Sequence, residues 1–234
     1  MRPGGVLGLV VLAAAGLVAC SSSGGPAPVT GSPPSAFLPV KVGEQLDYRV
    51  VVSGKAPESE IRSVLSVTPE VGDFQIDVQS TVDAQNGEST YDLAPDGSFS
   101  DSLAALLGNG QTLHFSGSVA FPGPASCRPG VTRTSPASIA DTQPGESETL
   151  TGTSVLRCGA EAEVTVPAGR FRARELDLEV TLGPAGHPFR LRERRYAMPG
   201  IGSVQDQVTL QTGTRTVTES AQLVHVSGAA PARS

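Results

Sequence analysis

The sequence predicts an all-β, mainly antiparallel domain: a curved, meandering sheet that forms a partly closed barrel or a sandwich, with one short helix. Apolar and polar residues alternate with a period of two along most of the chain, as in half-buried strands. The 234 residues include 27 glycines and 19 prolines, a content that favours many turns between short strands. Because these strand patterns recur about every 8–15 residues, the sequence favours a meandering topology.

An apolar face marks each predicted strand. The faces comprise Leu46, Tyr48, Val50 and Val52; Ile61, Leu65 and Val67; Phe74, Ile76, Val78 and Val82; Ala162, Val164 and Val166; Val204, Val208 and Leu210; and Val217, Ala221 and Leu223. Pro95-Asp96-Gly97 predicts a turn, since proline presets φ and glycine tolerates a positive φ. The segment Asp101–Leu107 predicts the short helix, with Asp101 as its N-cap and Gly108 just beyond its C-terminus.

The apolar faces change parity twice in the second half of the chain. Phe171 and Ala173 share one parity, and the run from Leu176 to Leu182 takes the other. This change predicts a β-bulge near Arg174-Glu175. After Leu191 the parity shifts again before Tyr196 and Met198.

Residues 1–19 have the layout of a bacterial export signal. Arg2 gives a positive start, and the apolar run from Val6 to Val18 is far shorter than the roughly 20 residues that span a bilayer. The run ends in Leu17-Val18-Ala19-Cys20, which resembles the lipobox of bacterial lipoproteins. The resemblance implies cleavage after Ala19 and a lipid anchor on Cys20, consisting of a thioether-linked diacylglycerol with acyl chains such as palmitate. An ordinary signal peptide with a chance cysteine and a membrane helix are the alternatives.

The remainder of the chain divides into a linker, one domain and a short tail. Residues 20–37 are rich in Ser, Gly and Pro and predict a flexible linker. Residues 38–228 predict a single β-rich domain, and residues 229–234 a disordered tail. The export signal places Cys127 and Cys158 in a compartment where disulfides persist, so we expect a bridge between them. Two free thiols or a metal pair are the alternatives, and no further metal ligands flank either cysteine.

Arginines are concentrated between residues 170 and 195. One interpretation is an anion site that includes Arg172, Arg190 and Arg192, because guanidinium groups bind phosphate and carboxylate. The favoured interpretation is cross-strand pairing on the solvent face: a turn centred on Ala185-Gly186 places Arg192 opposite Glu179 and Arg194 opposite Asp177. The three histidines, His114, His187 and His225, are far apart in sequence and favour structural or exposed positions over a ligand set.

Three segments resemble a family of uncharacterised exported β-rich bacterial proteins. They are Phe37–Gly43 followed by Tyr48, the V-P-A-G-R-F segment Val166–Phe171, and the Y-A-M-P-G-I-G-S-V segment Tyr196–Val204. The match departs at Leu46, where an aromatic residue is usual, and in the loop that carries the two later cysteines. The resemblance implies a curved antiparallel sheet and no assigned enzymatic role.

These observations favour a non-catalytic lipoprotein, anchored to the bacterial cell membrane or outer membrane, that binds an envelope protein or serves the envelope structurally. The alternative is a carrier that holds a lipid or another apolar ligand in the concavity of a half-barrel. A hydrolase is less favoured, because the common catalytic motifs are missing from the sequence. The net charge of −6 argues against a nucleic-acid partner, and nothing in the sequence calls for a cofactor.

Overall fold

The computed structural model describes residues 28–82, 85–106, 112–143, 146–183 and 189–228. These residues form twelve strands: β1 (Gln45–Val52), β2 (Glu58–Pro69), β3 (Phe74–Val82), β4 (Gln85–Leu93), β5 (Phe99–Leu106), β6 (Thr112–Phe121), β7 (Thr132–Gln143), β8 (Glu146–Val166), β9 (Gly169–Leu182), β10 (Phe189–Met198), β11 (Gly202–Thr212) and β12 (Arg215–Ser227). The predicted signal peptide and the predicted tail lie outside the described residues.

All twelve strands belong to one antiparallel sheet with the order β6-β5-β4-β3-β2-β1-β12-β11-β10-β9-β8-β7. Each strand except β6 therefore pairs with its successor in the chain. The first strand pairs with the last, from Gln45 opposite Ser227 to Val52 opposite Glu219. The edge strands β6 and β7 lie beside each other. The sheet is consequently a nearly closed barrel, which confirms the predicted all-β meander.

Two apolar clusters fill the described interior. The first joins both walls of the barrel and includes Val64, Ile76, Leu93 and Phe121 from β2–β6 and Leu156, Leu178, Val180 and Leu191 from β8–β10. The second joins β1, β11 and β12 to the tip of the β8–β9 hairpin and includes Leu46, Tyr48, Val204, Leu223, Val164 and Val166. Burial of these side chains supplies the main stabilisation, at about 25 cal/mol for each Å² of apolar surface removed from water.

The N-terminal segment packs against one end of the barrel. Ala36 and Phe37 are buried in the first apolar cluster, and the Gly200 amide donates a 2.7 Å hydrogen bond to the Ala36 carbonyl. The packed domain thus begins before residue 38, because these two apolar residues escape water only against the barrel. We call this end, formed by residues 28–44, 70–73, 94–98 and 122–131, the proximal end. The other end, which carries residues 53–57 and 213–214, is the distal end.

The predicted helix at Asp101–Leu107 is wrong. Residues up to Leu106 belong to β5, which pairs with β6 from Phe99 opposite Phe121 to Leu106 opposite Thr112. Pairing with a neighbouring strand overrides the weak local preference for helix. Gly108, the expected residue beyond the helix, lies outside the described residues. Within the described residues, no helix is long and apolar enough to cross a membrane.

The predicted bulge lies at the expected level of the sheet but on the neighbouring strand. Cys158 faces Leu176 and Glu161 faces Arg174, so Gly159 and Ala160 of β8 stand opposite the single residue Glu175. A Cβ atom on Gly159 would lie only 2.9 Å from the Cβ atom of Glu175, which favours glycine there. The bulge lets the long β8–β9 hairpin bend, and its tip binds β12 through a 3.1 Å hydrogen bond from the Ala168 amide to the Leu223 carbonyl.

Cys127 and Cys158 form the expected disulfide, with their Cα atoms 5.5 Å apart. The bond ties the connection between β6 and β7 to β8. Two hydrogen bonds flank it: the Gly130 amide donates to the Cys158 carbonyl, and the Cys158 amide donates to the Val131 carbonyl, both over 2.9 Å.

Loss of this disulfide is expected to lower the free energy of unfolding by about 3–4 kcal/mol, because the bond closes a long loop of the unfolded chain. Urea unfolding with and without a reductant measures the change. The Cys127→Ala/Cys158→Ala variant is the control: it should match the reduced wild type and be insensitive to reductant. Equal stability of the oxidised and reduced wild-type proteins would contradict the prediction.

Candidate functional site

A group of polar side chains points into the barrel at mid-height. Strand alternation places most of them there, because they share the parity of the apolar core residues on their own strands. Ser203 is the exception: a register shift between β10 and β11 sets it opposite the buried Ala197. We call this group the interior charged cluster; it comprises Tyr48 of β1, Glu60 and Arg62 of β2, Glu193 and Arg195 of β10, Ser203 and Asp206 of β11, and Glu219 of β12. Perturbed ionisable groups gathered in an interior make this cluster the candidate functional site.

One wall of the barrel contributes the pair Glu60–Arg62. The guanidinium group of Arg62 donates two hydrogen bonds to the Glu60 carboxylate, from Nε to Oε1 over 2.7 Å and from Nη2 to Oε2 over 3.0 Å. The same guanidinium lies 4.5 Å from the ring centroid of Tyr48. The Tyr48 hydroxyl donates to the Ser203 carbonyl over 2.8 Å. Burial raises the pKa of this phenol, so it stays a neutral donor.

The facing wall contributes a similar pair, Glu193–Arg195. Arg195 Nε donates to Glu193 Oε1 over 2.7 Å and lies 3.7 Å from Asp206 Oδ1. Its guanidinium stands 4.9 Å from the ring centroid of Phe121, which stacks in turn on Phe99. Each of the two interior arginines is thus held between a carboxylate two residues away and an aromatic ring, an arrangement that exploits the planar, weakly hydrated guanidinium group.

The interior charged cluster holds more acid than base. Four carboxylates face two guanidinium groups. Of the carboxylates, Asp206 is affected by both arginines and by the neighbouring Glu193. Burial, together with the charge of Glu193, raises the pKa of Asp206 from 3.8 to about 6, against the opposing effects of Arg195, Arg62 and the Ser203 hydroxyl that donates to it. Burial also raises the pKa of Glu219, assisted by Glu60. The cluster is therefore able to take up a proton on Asp206 as the pH falls through about 6.

The outward-facing arginines have a different role. The register confirms the predicted pairing, with Arg192 opposite Glu179 and Arg194 opposite Asp177, and their ion pairs both measure 3.2 Å. These side chains line a shallow groove on the outer surface of the sheet. Exposed pairs of this kind contribute about 0–1 kcal/mol each.

The structure does not assemble the anion site considered from the sequence. Arg190 lies opposite Thr181, whereas Arg172 stands nine residues before Thr181 on β9, a distance of about 30 Å along a strand. Arg172 binds the Glu161 carboxylate over 2.6 Å, and Arg192 binds Glu179. Arg172 and Arg192 do not contribute to an anion site because carboxylates on neighbouring strands already bind them.

The other residues considered from the sequence lie mostly outside the described part of the chain. Leu17, Val18, Ala19 and Cys20 lie outside the described residues, as does His187. His114 is on β6 and His225 is on β12, two strands that are not neighbours in the sheet. Within the described part of the chain, no group of three or more His, Cys, Asp or Glu side chains is arranged to hold a metal ion.

The fold and the interior define a class of structure: an antiparallel, nearly closed β-barrel with paired charges buried between its walls. Two solved structures share this fold. One is described as an inferred exported protein with a YmcC-like fold from Bacteroides fragilis, with a TM-score of 0.57, 13% identity, and coverage of 83% of this chain and 100% of its own. The other is an inferred lipoprotein from Parabacteroides distasonis, with a TM-score of 0.59, 10% identity, and coverage of 82% and 99%.

At these identities the likeness concerns the fold, and the chain is thus similar in architecture to exported bacterial β proteins. No protein-family model matches the chain. No curated protein matches it either.

Removal of one interior charge should be far more costly than removal of an exterior one. We expect Arg195→Met to lower the free energy of unfolding by about 3–5 kcal/mol, because Glu193 and Asp206 lose their buried counter-ion. Arg192→Met, on the opposite face of the same strand, is the matched control and should cost at most about 1 kcal/mol. Urea unfolding at pH 7 measures both. Similar losses of unfolding free energy for the two variants would show that the interior ion pair stabilises the fold no more than the exterior one.

Asp206 should make stability depend on pH between about 4 and 6. Its folded-state pKa lies above its unfolded value, so its contribution is fully present below about 3.9 and is lost as pH rises through about 6. Relative to Asp206→Asn, we expect the wild type to lose about 2–3 kcal/mol between pH 4 and pH 7. Urea unfolding of both proteins across this range measures the difference, in which the contribution of the distant buried Glu44 cancels. A difference that stays constant with pH would refute the raised pKa.

Proposed function

We propose that this chain is an exported bacterial lipoprotein, tethered to the cell membrane or outer membrane through a diacylglycerol on Cys20, whose β domain binds an envelope partner or supports the envelope without catalysis. The lipobox-like sequence that ends at Cys20 supports the tether. The fold supports it independently, since the two structural neighbours are described as an inferred exported protein and an inferred lipoprotein.

The pairing of the interior charges is the observation that carries the non-catalytic proposal. A general acid or base has to reach a substrate proton, and an anion-stabilising arginine has to face the developing charge. Here each interior guanidinium is bound to a carboxylate and covered by an aromatic ring. Glu193 and Asp206 are only 6% and 7% exposed. Paired and enclosed charges of this kind support a role in fixing how the two walls pack over a role in catalysis.

The large side chains buried between the walls favour binding through the outer surface over carriage of a lipid. Phe37, Tyr48 and Phe121 are among the largest fully buried side chains, and they occupy the space between the walls. The barrel level that an acyl chain would cross also contains the interior charged cluster, where burial of a hydrocarbon would leave carboxylates without their partners.

Mass spectrometry of the full-length protein, purified from bacterial membranes, tests the proposal. We expect the chain to begin at Cys20, to carry the mass of a diacylglycerol, and to release no non-covalent lipid in stoichiometric amount when it is denatured. Cys20→Ser is the control, and it should leave the membrane fraction while keeping the same fold by circular dichroism. An unmodified Cys20 would contradict the tether, and one released lipid per chain would establish the carrier in place of the non-catalytic binding module.

A further inference from the structure

Large apolar side chains are exposed at the proximal end of the barrel and on the part of β2 that leads to it. Val42 is 64% exposed, Val71 is 52% exposed and Leu65 is 45% exposed. Elsewhere in the described chain the other two large apolar side chains with comparable exposure are Val51 and Val224, at 37% and 40%. Single exposed apolar residues are common on protein surfaces, so their grouping at one end is the informative feature.

Backbone hydrogen bonds hold the segments that carry these three residues together. The Gly43 amide donates to the Val64 carbonyl over 2.9 Å, and the Val64 amide donates to the Glu44 carbonyl over 3.0 Å. Val42 and Leu65 therefore flank one pair of hydrogen bonds. Val71 occupies the turn between β2 and β3, which is closed by a 2.9 Å hydrogen bond from the Glu70 amide to the Asp73 carbonyl.

The N-terminal segment joins the barrel at this same turn. The Val29 amide donates to the Glu70 carbonyl over 2.8 Å, so the chain is attached next to Val71. Eight residues separate Cys20 from Val29, so nine Cα–Cα steps join the two. Even fully extended, they reach no further than about 30 Å.

From this geometry we infer that the proximal end of the barrel lies on the lipid bilayer, with Val42, Leu65 and Val71 inserted among the headgroups. The inference rests on the proposed anchoring at Cys20. The short segment between Cys20 and Val29 keeps the proximal end close to the membrane. The exposed apolar side chains make this end the one that we expect to contact the bilayer. At the distal end, two turns lie wholly within the described residues; they contain Ser53-Gly54-Lys55 and Gly213-Thr214, and the side chains of Ser53, Lys55 and Thr214 are polar.

Site-specific fluorescence on vesicles tests this orientation. An environment-sensitive fluorophore is attached to Val42→Cys or Val71→Cys in the acylated full-length protein, in which the native cysteines are acylated or in a disulfide. Thr214→Cys, exposed at the distal end, is the matched control. Each protein is placed in phosphatidylcholine vesicles with or without bromine on the acyl chains. The zwitterionic lipid is chosen because the acidic Glu70 and Asp73 flank Val71.

We expect a blue shift and strong quenching by brominated lipid at positions 42 and 71, and neither effect at position 214. Thermal unfolding of each labelled protein confirms that the exposed substitutions leave the fold intact. Equal emission and quenching at all three positions in a mass-verified acylated protein would overturn the orientation while leaving the tether in place. An unmodified Cys20 would overturn the tether and, with it, the orientation.

Discussion

The pairing of β1 with β12 is the constraint on which the rest of the molecule depends. Both strands stand at the middle of the sheet order, so their hydrogen bonds join two six-strand halves that are each a simple meander. Without this pairing, the wall that carries Arg62 and the wall that carries Asp206 would have no fixed relation. With it, the two halves curve towards each other, and the first apolar cluster can draw its members from both.

The interior charged cluster makes that closure specific. Apolar side chains tolerate several ways of packing, whereas a buried ion is strongly penalised unless its partner is in place. Tyr48 donates across the sheet to the Ser203 carbonyl, and Arg195 reaches Phe121 on the facing wall. A shifted register would leave these groups buried and unpaired. We interpret the cluster as a device that selects one packing of the two walls, at a cost in desolvation that the apolar clusters offset.

Much of the fold could be predicted from alternation, whereas the interior charged cluster was missed although part of its signal was present. Val204, Val208 and Leu210 share a parity, and Asp206 lies on that same face; Glu219 lies likewise between Val217 and Ala221. On β10 the inward-facing positions continue without a break from Leu191 through Glu193 and Arg195 to Ala197. The predicted change of parity before Tyr196 is therefore wrong, because two of the inward-facing residues are charged and were not recognised as interior. On β2, Leu65 is exposed and Val64 is buried for the same reason: Glu60 and Arg62 occupy the inner face. Which charges find buried partners depends on strands far apart in sequence, and a single strand's pattern cannot contain that information.

The seam between β6 and β7 explains why the disulfide is where it is. No strand pairing joins these two edge strands among the described residues. The connection between them carries Cys127, and its bond to Cys158 fixes that connection to β8, with Gly130 and Val131 hydrogen-bonded on either side of the same residue. The disulfide thus holds in place the segment of chain that connects the two edge strands. The β6–β7 connection with its disulfide, the bent tip of the β8–β9 hairpin and the N-terminal segment all lie at the proximal end. The described chain therefore begins at an end of the barrel that a disulfide and several backbone hydrogen bonds hold together.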